Sequence, residues 1–405
     1  MYAGIDWAAD THAICVLDDA GRTLSTFTIA HTADGFDQLT ARLCRLGSPA
    51  ALPVAIERPD GRLVDHLLEA GHPVVAVSPN AIKAWRDAQV LSGAKSDAAD
   101  AHVIAEYLRL RHHRLRVLAP PSAHTRALRA VVRTRTDLVD QRVAATNQLA
   151  ACLDAFWPGA KTVFADLESE IALAFLTRYP TPESAQHLGE GRMRAFCVKH
   201  GYSGRRPATE LLARLRSAPA GLTSGPEPEA RRDAILAMVG VIRALNTAIK
   251  DLDRSIIAHL GEHPDGPIFT SLPRSGQINA AQVLAEWGDC RPAYDAPDAV
   301  AALAGATPVT KQSGKHHAVH FRWACNKRFR AAITTFADNS RHASPWAAKV
   351  YADARGRGCD HPHAIRILAR AWIRVIWRCW IDQVPYDPAK HDAARKLTEI
   401  AASAA

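Results

Sequence analysis

Four acidic side chains are the residues of this sequence whose types and spacing best suit chemistry. Asp6 lies in the short apolar segment Gly4–Ala8, and Glu57 ends a second apolar run. Asp97 and Asp100 stand three residues apart where a helical pattern begins, so they share one face of that helix. Carboxylates gathered at one point repel one another unless they bind a cation. The set therefore predicts a metal site, in which two Mg²⁺ ions about 4 Å apart would activate the attacking oxygen and stabilise the leaving oxygen of a phosphoryl transfer.

Each of these acids also has an ordinary structural explanation. Asp6 could simply end a strand, and Glu57 could form a surface ion pair with Arg58. Asp97 could cap the helix, with Asp100 at its third position. The metal site is favoured because all four acids occur together, in an order of strands and helices that would bring them to one place.

The segments that must position these acids alternate strand and helix patterns. Three short strands joined by tight turns come first, and helices then alternate with two further buried strands. The strands are predicted over Tyr2–Ala8, His12–Leu17, Arg22–Ala30, Pro53–Glu57 and Pro73–Val77, and the helices over Gly35–Leu46, Arg62–Ala70 and from Pro79 onward. This order is that of the ribonuclease H-like fold, in which the fourth strand lies beside the first and brings Glu57 next to Asp6. A further helix would deliver Asp97 and Asp100 from the side.

Charge is distributed unevenly along the chain. Residues 1–110 carry 9 Lys and Arg against 14 Asp and Glu, a net charge of −5. Because the whole chain carries +9, residues 111–405 carry +14. An acidic first domain joined to a basic remainder suits a metal site attached to a body that binds a polyanion, although a basic surface could also serve solubility alone.

Cysteine usage and hydropathy indicate the compartment. The eight cysteines are scattered without a Cys-x-x-Cys pair, which argues for a reduced cytosol and against a disulfide framework or a zinc ribbon. The N-terminus leads directly into a strand without the pattern of a signal peptide, and no run of 18 uncharged apolar residues could span a membrane. The sequence predicts a cytoplasmic protein without a membrane partner.

Composition also suggests where the domains begin and end. A basic run followed by Ala119–Pro121 marks the end of the first domain. One long helix is predicted over Ser122–Phe156, and apolar spacings of three and four over Glu229–Leu260 predict a coiled-coil seam. That seam could pair with the first helix of the same chain or with another protomer. We predict an α/β domain, a helical coiled-coil region, a mainly helical C-terminal domain and a tail, over residues 1–120, 121–265, 266–382 and 383–405.

A second candidate constellation centres on Ser313, which is followed by glycine and flanked by Lys311 and Lys315. A serine exposed in this way could attack a phosphodiester while the lysines hold phosphate and favour the alkoxide. A polar surface turn would explain the same residues. Ser271 and Ser275 are alternative candidates for the nucleophile, and they lie in a degenerate helix–hairpin–helix pattern whose backbone N–H groups could bind phosphate.

A basic helix is predicted over Ala364–Asp382, with an arginine at every fourth position and an apolar side of tryptophan and isoleucine. Such a helix could lie on a membrane, cover a core or bind a nucleic-acid backbone, and the acidic metal site favours the last. The residues predicted to bind nucleic acid are Lys311, Lys315, Arg322, Lys327, Arg328, Arg366, Arg370, Arg374, Arg378 and, on the first long helix, Arg126, Arg129 and Arg133.

Several of these motifs occur in the order found in one known family. They are Gly4-Ile5-Asp6-Trp7, Ile56-Glu57, Lys95-Ser96-Asp97-Ala98-Ala99-Asp100-Ala101, the segment Leu272–Asp289 and Gln312-Ser313-Gly314. Over nearly its whole length the chain resembles the DEDD transposases of the insertion-sequence 110 family, and the Lys-Ser-Asp-x-x-Asp-Ala block is the most specific part of the resemblance. The chain departs from the family pattern in its hairpin, which lacks Gly-x-Gly, and in having Gln-Ser-Gly-Lys for the common Ser-Ser-Gly-Gly.

The resemblance implies a RuvC-like first domain that binds Mg²⁺ through Asp6, Glu57, Asp97 and Asp100. It also implies a coiled-coil spacer and a C-terminal transposase domain whose Ser313 attacks DNA to form a covalent phosphoserine link. A structured RNA from the flank of the element, the bridge RNA, would select donor and target DNA. Homodimers would pair into tetramers, in which the serine of one protomer can meet the acidic site of another. Such an enzyme would be cytoplasmic and would associate with the nucleoid when bound to DNA.

Three other functions are compatible with parts of the sequence. A RuvC-like junction nuclease would cut with water and form no covalent intermediate. A decayed transposase would bind nucleic acid without cutting it, although all four acids are present. A sugar kinase or actin-like ATPase also begins with Gly-Ile-Asp, but here Trp7-Ala8-Ala9-Asp10 follows in place of a phosphate loop rich in Gly, Ser and Thr.

Overall fold

The structure is a computed structural model that describes four ranges of the chain, 1–89, 96–219, 225–313 and 316–392. The chain divides into two compact units, unit 1 over Met1–Pro120 and unit 2 over Pro121–Ala405. In the described ranges no helix is both long enough and apolar enough to cross a membrane. The predicted separation of 121–265 from 266–382 as domains stays a prediction.

Unit 1 is a five-stranded mixed sheet with helices on both faces. Its strands are β1 (Tyr2–Trp7), β2 (Thr11–Leu17), β3 (Thr23–Ala30), β4 (Val54–Ile56) and β5 (Val74–Ala76). Its helices are α1 (Ala33–Leu46), α2 (Arg62–Glu69), α3 (Pro79–Gln89) and α4 (Asp97–Arg111). Across the sheet the order is β3-β2-β1-β4-β5, with β1 to β3 antiparallel and β4 and β5 parallel to β1. The predicted position of the fourth strand beside the first is confirmed, and the assignment to the ribonuclease H-like fold stays a prediction.

Alternation along the strands separates two cores in unit 1. Ile5 and Ile56 pack into the core that α1 and α2 cover, whereas Ala55 faces the side that α4 covers. Gly4 also faces α4, and a Cβ atom there would lie 2.3 Å from the carbonyl oxygen of Ala101. Only glycine therefore lets α4 pack directly on β1, and this close approach sets the position of the acids that α4 carries.

Unit 2 is helical apart from one hairpin. Two long helices are α5 (Ala123–Phe156) and α10 (Pro226–Glu262), and between them in the chain come α6 (Pro158–Thr162), α7 (Glu170–Arg178), α8 (Glu190–Lys199) and α9 (Ala208–Ser217). The remaining elements are α11 (Gly266–Thr270), α12 (Gln277–Trp287), α13 (Pro297–Leu303), β6 (Val309–Ser313), β7 (His316–His320), α14 (Lys327–Ser340), α15 (Pro345–Gly356) and α16 (His361–Asp382). Strands β6 and β7 form an antiparallel pair.

The two long helices pack against each other within the chain. Isoleucines at seven-residue spacing on α10 are buried, namely Ile235, Ile242, Ile249 and Ile256. Polar contacts between the helices add to the apolar seam: Arg135 Nε lies 2.9 Å from Asp253 Oδ1, and Arg142 Nη1 lies 3.0 Å from Asn246 Oδ1. Of the two pairings that the sequence left open for this seam, the structure contains the one within a single chain.

Two cores flank this helix pair. Helices α6 to α9 pack on one end of α5 and α10, and α11 to α16 pack on the other end. In the second core three tryptophans, Trp287, Trp372 and Trp380, are fully buried. Trp372 and Trp380 belong to the apolar side of α16, so this side is anchored in the core while the arginine row lies on the opposite side of the helix.

Candidate active site and nucleic-acid interface

Strands β1 and β4 place two of the predicted acids side by side. Their parallel register pairs Ile5 with Ile56, so Asp6 and Glu57 follow at adjacent positions towards the carboxyl ends of the strands. Both side chains are half-buried. Alternation puts Asp6 on the same face as Gly4, which is the face against which α4 packs. The carboxyl ends of parallel strands are a common location of ligand sites in α/β proteins.

Helix α4 brings the other two acids to this face. Because Ala101 lies against Gly4, Asp100 is held close to β1, and it is 7% exposed. Asp97 lies on the first turn of the helix and is exposed. The residue that caps the helix is Ser96, whose side chain accepts a backbone N–H hydrogen bond at 3.2 Å. The alternative role of Asp97 as the cap is therefore wrong, because Asp97 is already the first helical residue.

Arg86 on α3 is a residue of this site that sequence reasoning missed. Its Nη1 lies 2.7 Å from Oδ1 of Asp100. The hydrogen bond and the charge of Asp100 raise the pKa of Arg86, and the charges of Asp87 and Glu57 contribute less. The guanidinium group therefore interacts electrostatically with two of the predicted metal ligands, Asp100 and Glu57. In sequence the pair is separated by 14 residues, and no pattern marks it.

The donor set fits a hard divalent cation in its chemistry. Carboxylate oxygens are the ligands that Mg²⁺ prefers, and at Asp100 a guanidinium group already supplies positive charge. Among the described residues, however, no three Asp, Glu, His or Cys side chains lie close enough together to hold one ion. The arrangement is thus an ion-paired one with Arg86 as the stand-in cation. The roles of Asp6, Glu57, Asp97 and Asp100 as metal ligands stay a prediction. We refer to these four residues as the acidic edge.

A pair of histidines lies beside the acidic edge, and His12 is buried whereas His31 is exposed. His12 of β2 pairs in register with Trp7, and its Nε2 lies 2.7 Å from Nδ1 of His31. Burial lowers the pKa of His12 to about 4, and the charge of His31 contributes less. His12 is therefore neutral near pH 7 and adds no positive charge at this end of the sheet.

Ser313 is the last residue of β6 and pairs in register with His316 of β7. Its side chain is exposed, as is that of Lys311 on the same strand. Gly314 and Lys315, which completed the sequence motif, lie outside the described residues. The serine thus stands at the end of an exposed hairpin strand, where its hydroxyl is accessible to a large substrate.

The two other candidate serines lie in and after α11. Ser275 is 5% exposed and donates a hydrogen bond to the carbonyl oxygen of Phe269 at 3.1 Å. Ser271 donates to the carbonyl oxygen of Ile268 at 2.7 Å. Both hydroxyls therefore donate to the local backbone, and that of Ser271 also accepts a hydrogen bond from the backbone N–H of Tyr386 at 2.8 Å. The neighbouring residue Arg274 has a φ of 55°, the left-handed conformation that a hairpin glycine would normally adopt.

Part of the arginine row of α16 lies against α13, which carries Asp298 in its first turn. Arg370 and Arg374 approach the same carboxylate oxygen of Asp298, at 3.0 and 3.5 Å. Arg366 lies with its Cζ atom 4.8 Å from the ring centre of Phe321. Two guanidinium groups thus share one exposed carboxylate, so this part of the surface carries excess positive charge.

The remaining residues of the predicted interface in this region have local partners or are exposed. Arg378 pairs with Asp382 at 2.6 Å. Arg322 donates from Nε to the carbonyl oxygen of Thr307 at 3.0 Å. Lys327 is exposed at the start of α14.

Helix α5 carries arginines that hold unit 2 together. Arg133 donates two hydrogen bonds of 2.8 Å to the carboxylate of Glu286, which is 5% exposed. Burial alone would raise the pKa of Glu286, but hydrogen bonds from Arg133 and Asn326 outweigh it and lower the pKa. Arg129 donates from Nε to the carbonyl oxygen of Ala285 at 2.7 Å. Sequence alone gave a basic row here but did not indicate which arginines face inward.

Two further predicted residues also have contacts within unit 2. Arg126 donates to the carbonyl oxygen of Pro121 at 3.2 Å, and Arg328 pairs with Asp137 at 2.7 Å. The predicted contacts of Arg126, Arg129, Arg133 and Arg328 with nucleic acid stay a prediction.

Two regions of the chain match models of known protein families. Residues 3–158 match the family model of the IS110 DEDD proteins, which is described as a transposase, and residues 266–352 match the transposase family IS116/IS110/IS902. The chain is 31% identical over 388 residues to a Streptomyces coelicolor protein named as a mini-circle transposase for IS117. This alignment covers 94% of this chain and 93% of that protein. The chain belongs to the IS110 family of transposases.

Two other relatives match this IS110-family transposase over almost its full length. An uncharacterized 42 kDa protein of IS900 from Mycobacterium paratuberculosis is 28% identical, over 97% of this chain and 99% of the relative. An uncharacterized 44.8 kDa protein of IS116 from Streptomyces clavuligerus is 26% identical, over 96% of both chains. Membership of this family makes the chain an enzyme of DNA transposition, a class that cuts and joins DNA. The first matched region contains the acidic edge, and the second contains Ser313.

Proposed function

We propose that this transposase cuts and rejoins the donor and target DNA of an insertion sequence under the direction of a guide RNA, with Mg²⁺ at the acidic edge and Ser313 as the nucleophile. The observation that carries the proposal is the register of β1 and β4, which makes Asp6 and Glu57 neighbours on the face that α4 covers. Support also comes from the DEDD family model, which spans the same residues.

In this proposal the acids of unit 1 hold the metal. Asp6 and Glu57 would supply ligands from the sheet, and Asp97 and Asp100 would supply them from α4. When bound, two Mg²⁺ ions would stabilise the charge that develops on the transferring phosphate and on the attacking and leaving oxygens. Arg86 would have to release Asp100, at least in part, for that carboxylate to face an ion.

Ser313 would carry the covalent step. Its Oγ attacks the phosphorus of a DNA phosphodiester, a bond between Oγ and phosphorus forms, and the bond from phosphorus to one sugar oxygen breaks. The serine proton is lost, and the released sugar oxygen takes up a proton to become a hydroxyl. Attack by the hydroxyl of another strand reverses these changes and restores the serine. The energy of the phosphodiester is retained throughout, so strands can be exchanged without ATP. The exposure of Ser313 and the burial of Ser275 support this assignment.

The guide RNA and the assembly of dimers into tetramers are carried over from the family resemblance. A net charge of +14 on residues 111–405 supports binding of a polyanion but does not distinguish RNA from DNA. The acidic edge and Ser313 belong to different units, so the proposal requires that they meet at the DNA, in one protomer or in two.

The deciding experiment is a search for a covalent adduct between protein and DNA. The purified full chain is incubated with RNA transcribed from the flank of the element, donor and target DNA, and Mg²⁺, and any adduct is mapped by peptide mass spectrometry. We expect DNA on Ser313, and we expect Ser313→Ala to lower adduct formation by at least about 10³-fold. Ser271→Ala is the matched control, and it should keep the adduct. Cleaved DNA without an adduct would instead support a RuvC-like nuclease that uses water.

A further inference from the structure

A basic cavity lies at the base of the hairpin that carries Ser313. Its volume is about 570 Å³, and it is bounded by residues 305–308, by the β7 end of the hairpin and by α16. The basic residues of its lining are Arg322, Arg366, Arg370, Arg374, His320 and His363. Among the described residues that line the cavity none is acidic. A concave surface with four arginines concentrates positive potential and favours an anionic ligand.

Two polar atoms on lining residues have no hydrogen-bond partner. They are Oγ1 of Thr307 and Nε of Arg370, and both are buried within the part of the chain that the structure describes. More than nine in ten buried polar groups in proteins are paired, so two unpartnered groups on the lining of one cavity require an explanation. The arginine Nε–H can only donate, and the threonine hydroxyl can donate. A ligand with several acceptor oxygens, such as a phosphate group, would satisfy both.

The basic side chains of the cavity are held in place before any ligand binds. Arg322 is fixed by its hydrogen bond to the carbonyl oxygen of Thr307, and Arg366 is fixed by its stacking on Phe321. Arg370 is oriented by Asp298 at 3.0 Å. Arginine loses much side-chain freedom when it binds, so a site in which this freedom is already restricted binds phosphate more tightly.

The cavity also has an apolar part, to which Val319, Phe321, Ile367 and Ala371 contribute. A free inorganic phosphate would leave this part unfilled, whereas a nucleotide within a strand combines an anionic phosphate with the flat apolar faces of a base. The volume and the mixed lining therefore favour one nucleotide of a strand over an isolated anion.

The hairpin fixes the distance between the cavity and Ser313. His320 at the cavity pairs with Val309, and four residue steps along β6 lead from that pair to Ser313. At about 3.4 Å per residue this is roughly 14 Å. Successive phosphates of one DNA strand lie about 7 Å apart, because each nucleotide both rises about 3.4 Å and turns about the helix axis, so the same span corresponds to roughly two nucleotides.

We propose that this cavity binds one phosphodiester, with its attached nucleoside, of the DNA strand that Ser313 attacks, roughly two nucleotides from the scissile phosphate. The proposal rests on the proposed function for its choice of DNA and for its register. It assigns the cavity to DNA because the cavity and the nucleophile belong to the same hairpin. By binding one phosphate at a fixed distance from Ser313, the cavity would position the scissile phosphate of the same strand at that serine.

The test measures coupling between the cavity and single phosphates. The full chain carrying Ser313→Ala is mixed with flank-derived RNA and with DNA in which one linkage at a time is a neutral methylphosphonate, and the Kd is measured by fluorescence anisotropy. We expect the methylphosphonate at one linkage, roughly two nucleotides from the cleavage site, to weaken binding about 10-fold. In Arg366→Gln or Arg370→Gln the same linkage should have little further effect, because its charge partner is already gone. In Arg355→Gln, which removes an arginine of α15 outside the cavity, the 10-fold effect should remain.

Thr307→Val separates a binding role from a structural one. It removes a hydroxyl that has no partner in the protein, so the Tm should stay the same or rise, whereas the affinity for the unmodified DNA should fall several-fold. A lower Tm together with unchanged affinity would overturn the proposal. So would an equal effect of every methylphosphonate in the wild type and the cavity variants, or coupling to a linkage of the RNA in place of the DNA. Coupling to one DNA linkage supports the cavity even if no adduct forms at Ser313, so the two proposals can fail independently.

Discussion

The acidic edge of unit 1 and the basic cavity of unit 2 both contain arginines beside carboxylates, but the balance of charge is opposite. At the acidic edge Arg86 pairs with Asp100, one of the four acids, and the charge of Glu57 also acts on it. At the cavity Arg370 and Arg374 both approach the carboxylate of Asp298. The four acids of the edge together with Arg86, and the cavity arginines together with Asp298, therefore carry net charges of opposite sign. Under the two proposals this net charge, rather than the ion pair, indicates the ligand: a cation in unit 1 and a phosphate in unit 2.

The same comparison distinguishes these two regions from a third ion pair. Arg133 and Glu286 form two hydrogen bonds, and Asn326 supplies a further one to the carboxylate. This carboxylate is buried, and hydrogen bonds within unit 2 occupy both of its oxygens, so it is not available to a cation. We interpret this pair as a structural contact between α5 and α12, and the predictions below follow from the contrast.

The largest effect is expected when the acidic edge loses a carboxylate. Asp97→Asn and Asp100→Asn should each lower Mg²⁺-dependent DNA cleavage by at least about 10²-fold, because each removes a predicted metal ligand. Their effects on stability should differ. Asp100 is buried against Arg86, so Asp100→Asn should cost about 1–3 kcal/mol of unfolding free energy, whereas the exposed Asp97→Asn should cost less than about 0.5 kcal/mol.

Cleavage assays and urea unfolding of the two variants would measure both effects. Asp65→Asn on α2 is the control, because it removes an acid that is paired with Arg62 and is outside the edge. Normal cleavage by Asp97→Asn or Asp100→Asn would contradict the metal site. Equal losses of stability in both variants would contradict the difference in burial.

The strands, the long helices and the candidate acids could be predicted from the sequence because they depend on local pattern. Apolar runs and tight turns defined the ends of β1 to β5 to within one or two residues, and the place of β4 beside β1 followed from the ribonuclease H-like order of strands and helices. The contact between Arg86 and Asp100 could not be predicted, because it depends on how α3 and α4 pack. For the same reason the inward direction of Arg133 was missed: a row of arginines has a period, but the period does not say which side is covered.

Acidification should weaken the fold of unit 1. The pKa of His12 is about 4 in the folded chain, below the usual histidine value of 6.5, so the unfolded chain binds more protons between these pH values. Stability should be complete above about pH 6.5 and should fall as the pH is lowered towards 4, by about 3 kcal/mol at most. Hydrogen exchange of the β1 and β2 amides in urea, repeated at several pH values, would measure how the unfolding free energy of these strands changes with pH. His12→Gln should weaken this pH dependence, and an unchanged dependence would show that other groups cause the loss.

Unit 2 offers an internal comparison for this pH dependence. Burial also lowers the pKa of His263, which contacts Thr125 at 2.8 Å. Exchange of amides in α5 and α10 should therefore respond to acid in the same direction, and His12→Gln should leave that response intact. If His12→Gln removed the acid response in both units, the two units would unfold together.

Removing the charge of Glu286 should destabilise unit 2 without a direct effect on DNA chemistry. Glu286→Gln leaves the guanidinium group of Arg133 without its carboxylate, so we expect a loss of about 2 kcal/mol in unfolding free energy, measured by urea denaturation. Asp298→Asn is the matched variant at the cavity. Its carboxylate is 55% exposed, so its loss should change stability by less than about 1 kcal/mol. A larger cost for Asp298→Asn would mean that the cavity arginines are structural, as Arg133 is.

The smallest effect is expected from Arg86→Gln. This variant tests most directly whether the net charge of the acidic edge determines its ligand. If the guanidinium group of Arg86 is the stand-in cation of the acidic edge, it competes with a metal ion for Asp100. Arg86→Gln should then tighten Mn²⁺ binding to the full chain without DNA by about 10-fold, as measured from the electron paramagnetic resonance signal of free Mn²⁺. Arg58→Gln is the control, because Arg58 lies over Trp7 and pairs with Asp60. It lowers the net charge equally, so it should tighten binding much less. Weaker binding in Arg86→Gln would instead assign Arg86 the role of orienting Asp100 towards the ion, and the net charge alone would then not explain the site.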